Sequence, residues 1–169
     1  MIGLQAWKIH HPNGGVVTES RNRKPRTPVL RPTGMDDPHR QFDFWLGRWQ
    51  AHWDGGAGTN VVEAVCEGRV IRESFDAPGL VGTSISVYDA AAERWVQTWM
   101  DSQGSWFHLT GGMRDGAMEL FTTDPDADGC RKRMRFAAIT ADRFEWTWSR
   151  SAGDGWDQLW RIDYARATA

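Results

Sequence analysis

The segment from Trp95 to Asp101, WVQTWMD, combines aromatic and polar side chains in a pattern that could bind a small molecule. Side chains on a strand repeat every two residues, so the two tryptophans share one face with Gln97 and Asp101. A face made only for packing would not carry an amide and a carboxylate, whereas aromatic walls with a few placed polar groups are typical of ligand sites. The alternative is that Asp101 ends its strand and caps the next turn.

Two further side chains are candidates for acid–base chemistry beside that face. If His108 on the next strand points inward, it can form a His–carboxylate pair with Asp101, the commonest route to a general base. The alternative is an exposed or structural histidine. Glu73 shares a face with apolar neighbours, so it is either buried and in need of a partner, for which Arg133 and Arg135 are candidates, or solvated.

Arg131, Arg133 and Arg135 form a basic stripe on one strand face. Facing inward, the stripe would suit a carboxylate ligand, because a guanidinium binds carboxylates in a bidentate manner. Facing outward, it would be a solvated surface on an acidic body, and this is the orientation that we favour.

The elements that must position these residues are predicted to be about ten short strands. Apolar and polar residues alternate with a period of two, and turns such as DGGAG and GMRDG separate the runs. Nothing resembles a crossover helix, so the sheet should be an antiparallel meander. Such a meander has two unpaired edges unless it closes, which favours a barrel over a two-sheet sandwich. Ten strands make a barrel too wide to fill easily, so a cavity is expected.

The last two strands are predicted to add more aromatic side chains to the interior. One strand places Trp146 and Trp148 on a single face. On the final strand, one face is predicted to carry Trp156, Gln158, Trp160, Ile162, Tyr164 and Arg166. The predicted ligand-binding residues are therefore Trp95, Gln97, Trp99, Asp101, His108, Trp146, Trp148 and Trp160. If the protein is an enzyme, the predicted catalytic residues are Asp101, His108 and Glu73.

The chain is predicted to have two parts, a tail over residues 1–37 and one all-β barrel domain over residues 38–169. Residues 1–34 hold six of the 20 basic residues and one of the 22 acidic residues, so the tail is basic and the body acidic. Its proline- and arginine-rich composition is typical of a disordered linker. Asp37 and Pro38 favour the start of a short helix before the first strand.

Charge and cysteine content limit the partners and the compartment. An acidic body disfavours nucleic acid, and no apolar run is long enough to span a membrane. Cys66 and Cys130 are far apart without metal-ligand spacing, so we expect no metal, reduced thiols and a cytoplasmic location. The expected partner is a small molecule, bound by a monomer or homodimer.

Gly47-Arg48-Trp49 resembles the G-x-W signature at the first strand of calycin barrels, the superfamily of lipocalins and fatty-acid-binding proteins. The resemblance implies that Trp49 closes one end of the barrel beneath a basic residue of the last strand. Arg166 is the candidate for that residue, with Arg161 as the lesser one. A guanidinium over an indole is a cation–π contact worth about 0.5–2 kcal/mol.

A wider resemblance covers most of Phe42 to Arg166, including FDFWLG, SISVYD and RWVQTWMDSQG. These motifs look like an uncharacterised bacterial domain family that is considered calycin-like and akin to nitrobindins. The resemblance implies a fold rather than an activity. Nitrobindins bind haem through a histidine near the C-terminal end of the barrel, and this chain has none after His108. We therefore expect no cofactor, with His52 and His108 as lesser candidates to bind a haem.

The sequence predicts a protein that binds a small hydrophobic or aromatic molecule in a tryptophan-lined barrel. The alternative is an isomerase, cyclase or lyase that uses a carboxylate or histidine base in the same cavity. A third possibility is a filled barrel that acts through its surface or by dimerising.

Overall fold

Ten antiparallel strands in a computed structural model, which describes residues 37–168, close into a barrel. The strands are β1 (Gly47–Trp53), β2 (Gly56–Val65), β3 (Val70–Ala77), β4 (Leu80–Asp89), β5 (Arg94–Asp101), β6 (Trp106–Arg114), β7 (Ala117–Thr122), β8 (Lys132–Ala137), β9 (Arg143–Ala152) and β10 (Gly155–Arg166). Each strand pairs with its neighbour in sequence, and β1 pairs with β10. The predicted all-β barrel is confirmed, whereas the predicted tail lies outside the described residues except for Asp37.

Two short 3-10 turns precede the barrel, Pro38–Arg40 and Asp43–Trp45, and they are the predicted N-terminal helix. The Asp37 carboxylate caps the first turn by accepting a hydrogen bond of 3.0 Å from the backbone N–H of His39. Pro38 follows at the first helical position, where its missing N–H costs nothing. The turns lead directly into β1.

The 3-10 turns insert aromatic rings into one end of the barrel. The Phe42 ring lies 4.9 Å from that of Trp95 on β5 and 5.4 Å from that of Phe136 on β8, measured between ring centroids. Six rings within this cluster are at most 2% exposed: Phe42, Trp45, Trp49, Trp95, Phe136 and Phe144. We refer to these six residues as the packed end. Rings in T-shaped contact fill the interior of the barrel at this end. The rings of the strands therefore pack against those of the 3-10 turns and leave no open space between them.

Gly47 is required at the junction between the turns and β1. Its φ of +125° lies in a region that residues with a side chain rarely adopt, and a Cβ there would collide with the Arg166 guanidinium. Glycine at this position therefore allows the Arg166 side chain of the last strand to pack against the start of the first strand.

A bulge between Gln158 and Trp160 corrects one expectation for β10. The extra residue reverses the alternation, so Trp156 and Gln158 do not share a face with Trp160. Trp156 lies outside the barrel, where its ring packs 5.7 Å from Phe121 and 4.7 Å below the Arg133 guanidinium.

Candidate functional site

The end of the barrel opposite the 3-10 turns contains a cavity of about 120 Å³ that is partly open to solvent. Its lining is aromatic or aliphatic apart from two carboxyl groups and one phenol. The lining residues are Glu73, Phe75, Leu80, Trp99, Asp101, Phe107, Met134, Trp146, Trp148, Trp160, Ile162 and Tyr164. We refer to this region as the open end, because several of its aromatic side chains are partly exposed.

The aromatic walls of the open end come from five strands. The indoles of Trp146 and Trp148 are nearly parallel, with 4° between their planes and 6.4 Å between their centroids. Trp160 stands edge-on to Trp146 at 5.6 Å, and Phe107 packs 5.1 Å from Trp148. On the far side, Trp99 lies against Gly82, where a Cβ would collide with the indole. Partly exposed rings around a void can make new apolar contacts with a guest.

Glu73 is the buried acid of this wall, with 6% of its surface exposed. Its Oε1 accepts a 2.7 Å hydrogen bond from Asn60 Nδ2, and its Oε2 accepts a 2.5 Å bond from Ser84 Oγ. Burial raises the pKa of Glu73 to about 7, because desolvation of the charged form outweighs these two hydrogen bonds. Within residues 37–168 it forms no ion pair with a lysine, arginine or histidine.

The arginines predicted as partners of Glu73 do not contact it. Arg133 and Arg135 point away from the interior and pair with Glu119, at 3.7 Å and 3.0 Å between nitrogen and carboxylate oxygen. The physical reason is strand alternation, since the intervening Met134 is buried in the barrel. The basic stripe therefore faces outward.

Tyr164 brings the phenol to the same wall. Burial raises the pKa of Tyr164 well above its usual value, and the negative charge of Glu73 raises it further, while the nearby Asn60 amide has a smaller, opposing effect. The hydroxyl therefore stays protonated at neutral pH. The ring is held by stacking on Phe144, 4.5 Å between centroids.

Asp101 both lines the cavity and caps a turn. Its Oδ2 accepts a 2.9 Å hydrogen bond from Trp99 Nε1, while its Oδ1 accepts bonds from the backbone N–H groups of Gln103 and Ser105 at 2.9 and 3.0 Å. Burial alone would raise the pKa of Asp101, but these donors outweigh it and hold the pKa below its usual value. The group is therefore a carboxylate at neutral pH that fixes the Trp99 ring.

The predicted pair between His108 and Asp101 is not formed. His108 lies on the outer face of β6, because its neighbours Phe107 and Leu109 point inward. Its Nδ1 lies 3.3 Å from Thr98 Oγ1 on the adjacent strand. His108 is therefore not a wall residue of the cavity, and the expectation of a histidine base there is wrong.

The side chains of Gln97 and Trp95 point into the barrel, but neither of them lines the cavity. Trp95 is 1% exposed and belongs to the packed end. Gln97 is fully buried and donates a 2.9 Å hydrogen bond from Nε2 to Ser86 Oγ. Strand alternation correctly separates inside from outside here, but it carries no information on depth along the tube.

The structure places Arg166 over Trp49, with its guanidinium carbon 4.2 Å from the indole centroid. Arg166 Nη1 also donates to the backbone carbonyl of Leu46 at 3.0 Å, and Trp49 Nε1 donates to the carbonyl of Trp45 at 2.7 Å. These contacts tie the first strand, the last strand and the 3-10 turns together at the packed end.

Three residues around Glu73 were not predicted as site residues: Asn60 and Ser84, which donate hydrogen bonds to its carboxyl group, and Tyr164, which lines the cavity. Asn60 and Ser84 occupy inward positions on the two strands beside β3, so they can reach the same carboxyl group. The signal in the sequence was a polar residue at a position where alternation places apolar ones. Their convergence depends on strand register, which alternation alone does not give.

Haem does not fit this cavity. None of the lining residues within the described part of the chain is a histidine, and about 120 Å³ is close to the roughly 150 Å³ cavity that holds a benzene ring. Among residues 37–168 there is also no group of three or more His, Cys, Asp or Glu side chains placed to hold a metal ion.

The closed ten-stranded antiparallel barrel is consistent with a calycin-like architecture. No protein-family model matches the chain, and no curated protein sequence matches it significantly. None of the helices in residues 37–168 has the length and apolar character needed to cross a bilayer.

Proposed function

We propose that the protein binds a small apolar or aromatic molecule at the open end of the barrel. The observation that carries the proposal is a void bounded by partly exposed aromatic rings, at the end opposite the two 3-10 turns. Its volume matches a guest about the size of one ring. A guest that covers these rings removes apolar surface from water, which contributes about 25 cal/mol of favourable free energy per Å².

We also infer that the chain belongs to the calycin-like family that its motifs resemble. Support comes from Gly47, whose conformation and close contact with Arg166 require glycine, and from the Arg166–Trp49 contact. A ligand-binding barrel is the ordinary use of that architecture, although a fold by itself does not define a function.

The proposal is tested by following tryptophan indole N–H signals in ¹H–¹⁵N NMR spectra during a toluene titration. Toluene should shift the signals of Trp99, Trp146, Trp148 and Trp160. The signals of Trp106, which is 66% exposed on the outside, and of Trp156 should not move. Shifts confined to the outer tryptophans, or no shifts, would contradict the proposal.

A matched pair of blocking variants sharpens this test. Leu80→Trp introduces an indole at the cavity wall and should abolish the toluene-induced shifts. Leu159→Trp makes the same change at a side chain that is 50% exposed and outside the lining, so it should leave binding intact.

The second candidate function is an enzyme of the isomerase, cyclase or lyase type. The observation that favours it is the Glu73 carboxyl on the cavity wall, whose pKa of about 7 suits a group that donates or accepts a proton near neutral pH. Asp101 is a poorer base because its pKa is lowered. Turnover of a bound molecule should then follow a pH profile with an apparent pKa near 7 and be lost in E73Q, while toluene binding persists.

A further inference from the structure

The charge on the cavity wall has only one sign. Glu73 and Asp101 both line the cavity, and no lysine, arginine or histidine lines it within residues 37–168. Only 6% of the surface of Glu73 is exposed. The two groups that donate hydrogen bonds to its carboxyl group, on Asn60 and Ser84, are uncharged. Holding a carboxylate in an apolar wall without a cation is costly, and a positively charged guest would offset that cost.

The aromatic part of the wall has the same electrostatic preference. The face of an indole ring carries negative potential and attracts cations, most strongly for tryptophan. Four tryptophans line the cavity, and the perpendicular arrangement of Trp146 and Trp160 presents a ring face beside a ring edge. Rings of this kind around one carboxylate form a site suited to an ammonium group with apolar substituents.

An anionic guest has no counterpart in this wall. The three arginines of the stripe are engaged elsewhere: Arg133 and Arg135 pair with Glu119, and Arg131 donates two hydrogen bonds to the carbonyl of Thr122. Among the residues that the structure describes, a ligand carboxylate would therefore meet two acidic side chains and no basic one.

Resting on the proposed function, we infer that the guest is a small organic cation. Its ammonium group lies between the Glu73 carboxylate and the tryptophan faces, and its apolar substituents fill the remaining space. The volume of about 120 Å³ limits it to roughly the size of choline or of a single ring bearing an amine.

Choline and 3,3-dimethylbutan-1-ol are the probes, because they share a shape and differ in charge. In calorimetric titrations at pH 8, the wild-type protein should bind choline ~10-fold or more tightly than the alcohol. Glu73→Gln keeps the side-chain shape and should reduce this preference several-fold, to what the tryptophan faces and Asp101 still supply, while retaining the affinity for the alcohol. The matched control is Glu63→Gln, on the outer face and paired with Arg72, which should keep the preference.

The pH profile of choline binding supplies a test that needs no variant. Choline keeps its charge at every pH, so any change in its affinity with pH reports a change in the charge of the cavity wall. Between pH 5.5 and 8 Asp101 remains ionised and Tyr164 remains neutral, because their pKa values are shifted down and up, respectively. Asn60 and Ser84, the other groups on Glu73, do not titrate. Choline affinity should therefore rise through pH 7 as Glu73 ionises, and then level off.

Three results would overturn the inference: equal affinity for the two probes, a preference that is undiminished in folded E73Q, or a flat pH profile in the wild-type protein. If toluene binds and choline has no advantage over the alcohol, the inference fails and the proposed function stands. If neither toluene nor choline binds, both fail. Circular dichroism and thermal unfolding establish whether E73Q is folded, and if it is not, the wild-type pH profile decides.

Discussion

The two ends of the barrel are built from the same kind of residue and differ in what fills them. At the packed end, strand residues such as Trp95 and Phe136 meet Phe42 and Trp45 from the 3-10 turns, and all are at most 2% exposed. At the open end, every lining residue within the described part of the chain lies on a strand, and the strand tryptophans surround a void. Aromatic content alone therefore does not define a ligand site, because a plug converts the same rings into core.

The ends also differ in charge. A cation, Arg166, lies over the indole of Trp49 at the packed end. At the open end the charged groups are Glu73 and Asp101, and the tryptophan faces have no cation within the described residues. The packed end thus contains a cation that packs on an aromatic ring, whereas the lining of the open end, within the described residues, contains none.

The largest expected difference between the ends is in stability. Phe42→Ala removes a fully buried ring from the plug and should lower the free energy of unfolding by about 3–5 kcal/mol. Phe107→Ala, at the partly exposed wall, removes fewer contacts and should cost about 1–2 kcal/mol. Urea unfolding curves measure both. Equal losses would mean that the open end is packed as tightly as the plug.

Glu73 should make the stability of the protein depend on pH in an unusual direction. Its pKa is about 7 in the folded protein against 4.5 without burial, so the folded state holds a proton that the unfolded chain releases. The contribution to stability is full below pH 4.5 and is lost as pH rises through 7, by about 3 kcal/mol. In E73Q this loss should be absent, so its stability relative to wild type should increase by that amount between pH 4 and pH 8.

The control for this pH dependence is Glu63→Gln. The hydrogen bond and charge of Arg72 lower the pKa of Glu63, so this exposed carboxyl titrates below the relevant range. Its replacement should leave the unfolding profile between pH 5 and 8 unchanged. A wild-type profile that is flat over this range would show that the open end does not desolvate Glu73.

The barrel could be predicted because its determinants are local. Alternation over Val81 to Asp89 and Glu93 to Asp101 defines strands close to the observed β4 and β5. Turn residues between the runs define the hairpins, and closure follows from the need to pair the edges.

The site was less predictable because it depends on register and depth. Trp95 and Trp99 have the same parity and belong to opposite ends, since only the 3-10 turns decide which end is filled. The bulge near Trp160 places Trp156 outside, and single residues in the sequence do not reveal it. Glu73 was recognised as a candidate, but its partners on β2 and β4 follow from strand register.

Two glycine positions, one at each end of the barrel, test the comparison most directly. Gly111 pairs with Trp95 of the packed end, and a Cβ there would collide with the backbone carbonyl of Glu119. Gly82 pairs with Asp101 at the open end, and the three atoms nearest to a Cβ there all belong to the Trp99 ring, which borders the void. A backbone carbonyl in a paired strand cannot move aside, whereas a ring beside a cavity can rotate.

Gly111→Ala should therefore lower the free energy of unfolding by about 3 kcal/mol, and Gly82→Ala by about 1 kcal/mol, mostly through the lost Trp99–Asp101 hydrogen bond. Gly82→Ala should nevertheless weaken toluene binding, because the displaced indole occupies the cavity. Gly112→Ala is the matched control, since a Cβ there meets nothing within 4 Å. Thermal unfolding and the toluene titration measure both effects. If Gly82→Ala were as destabilising as Gly111→Ala, Trp99 would have no free space beside it, and the distinction between a packed end and an open end would not hold.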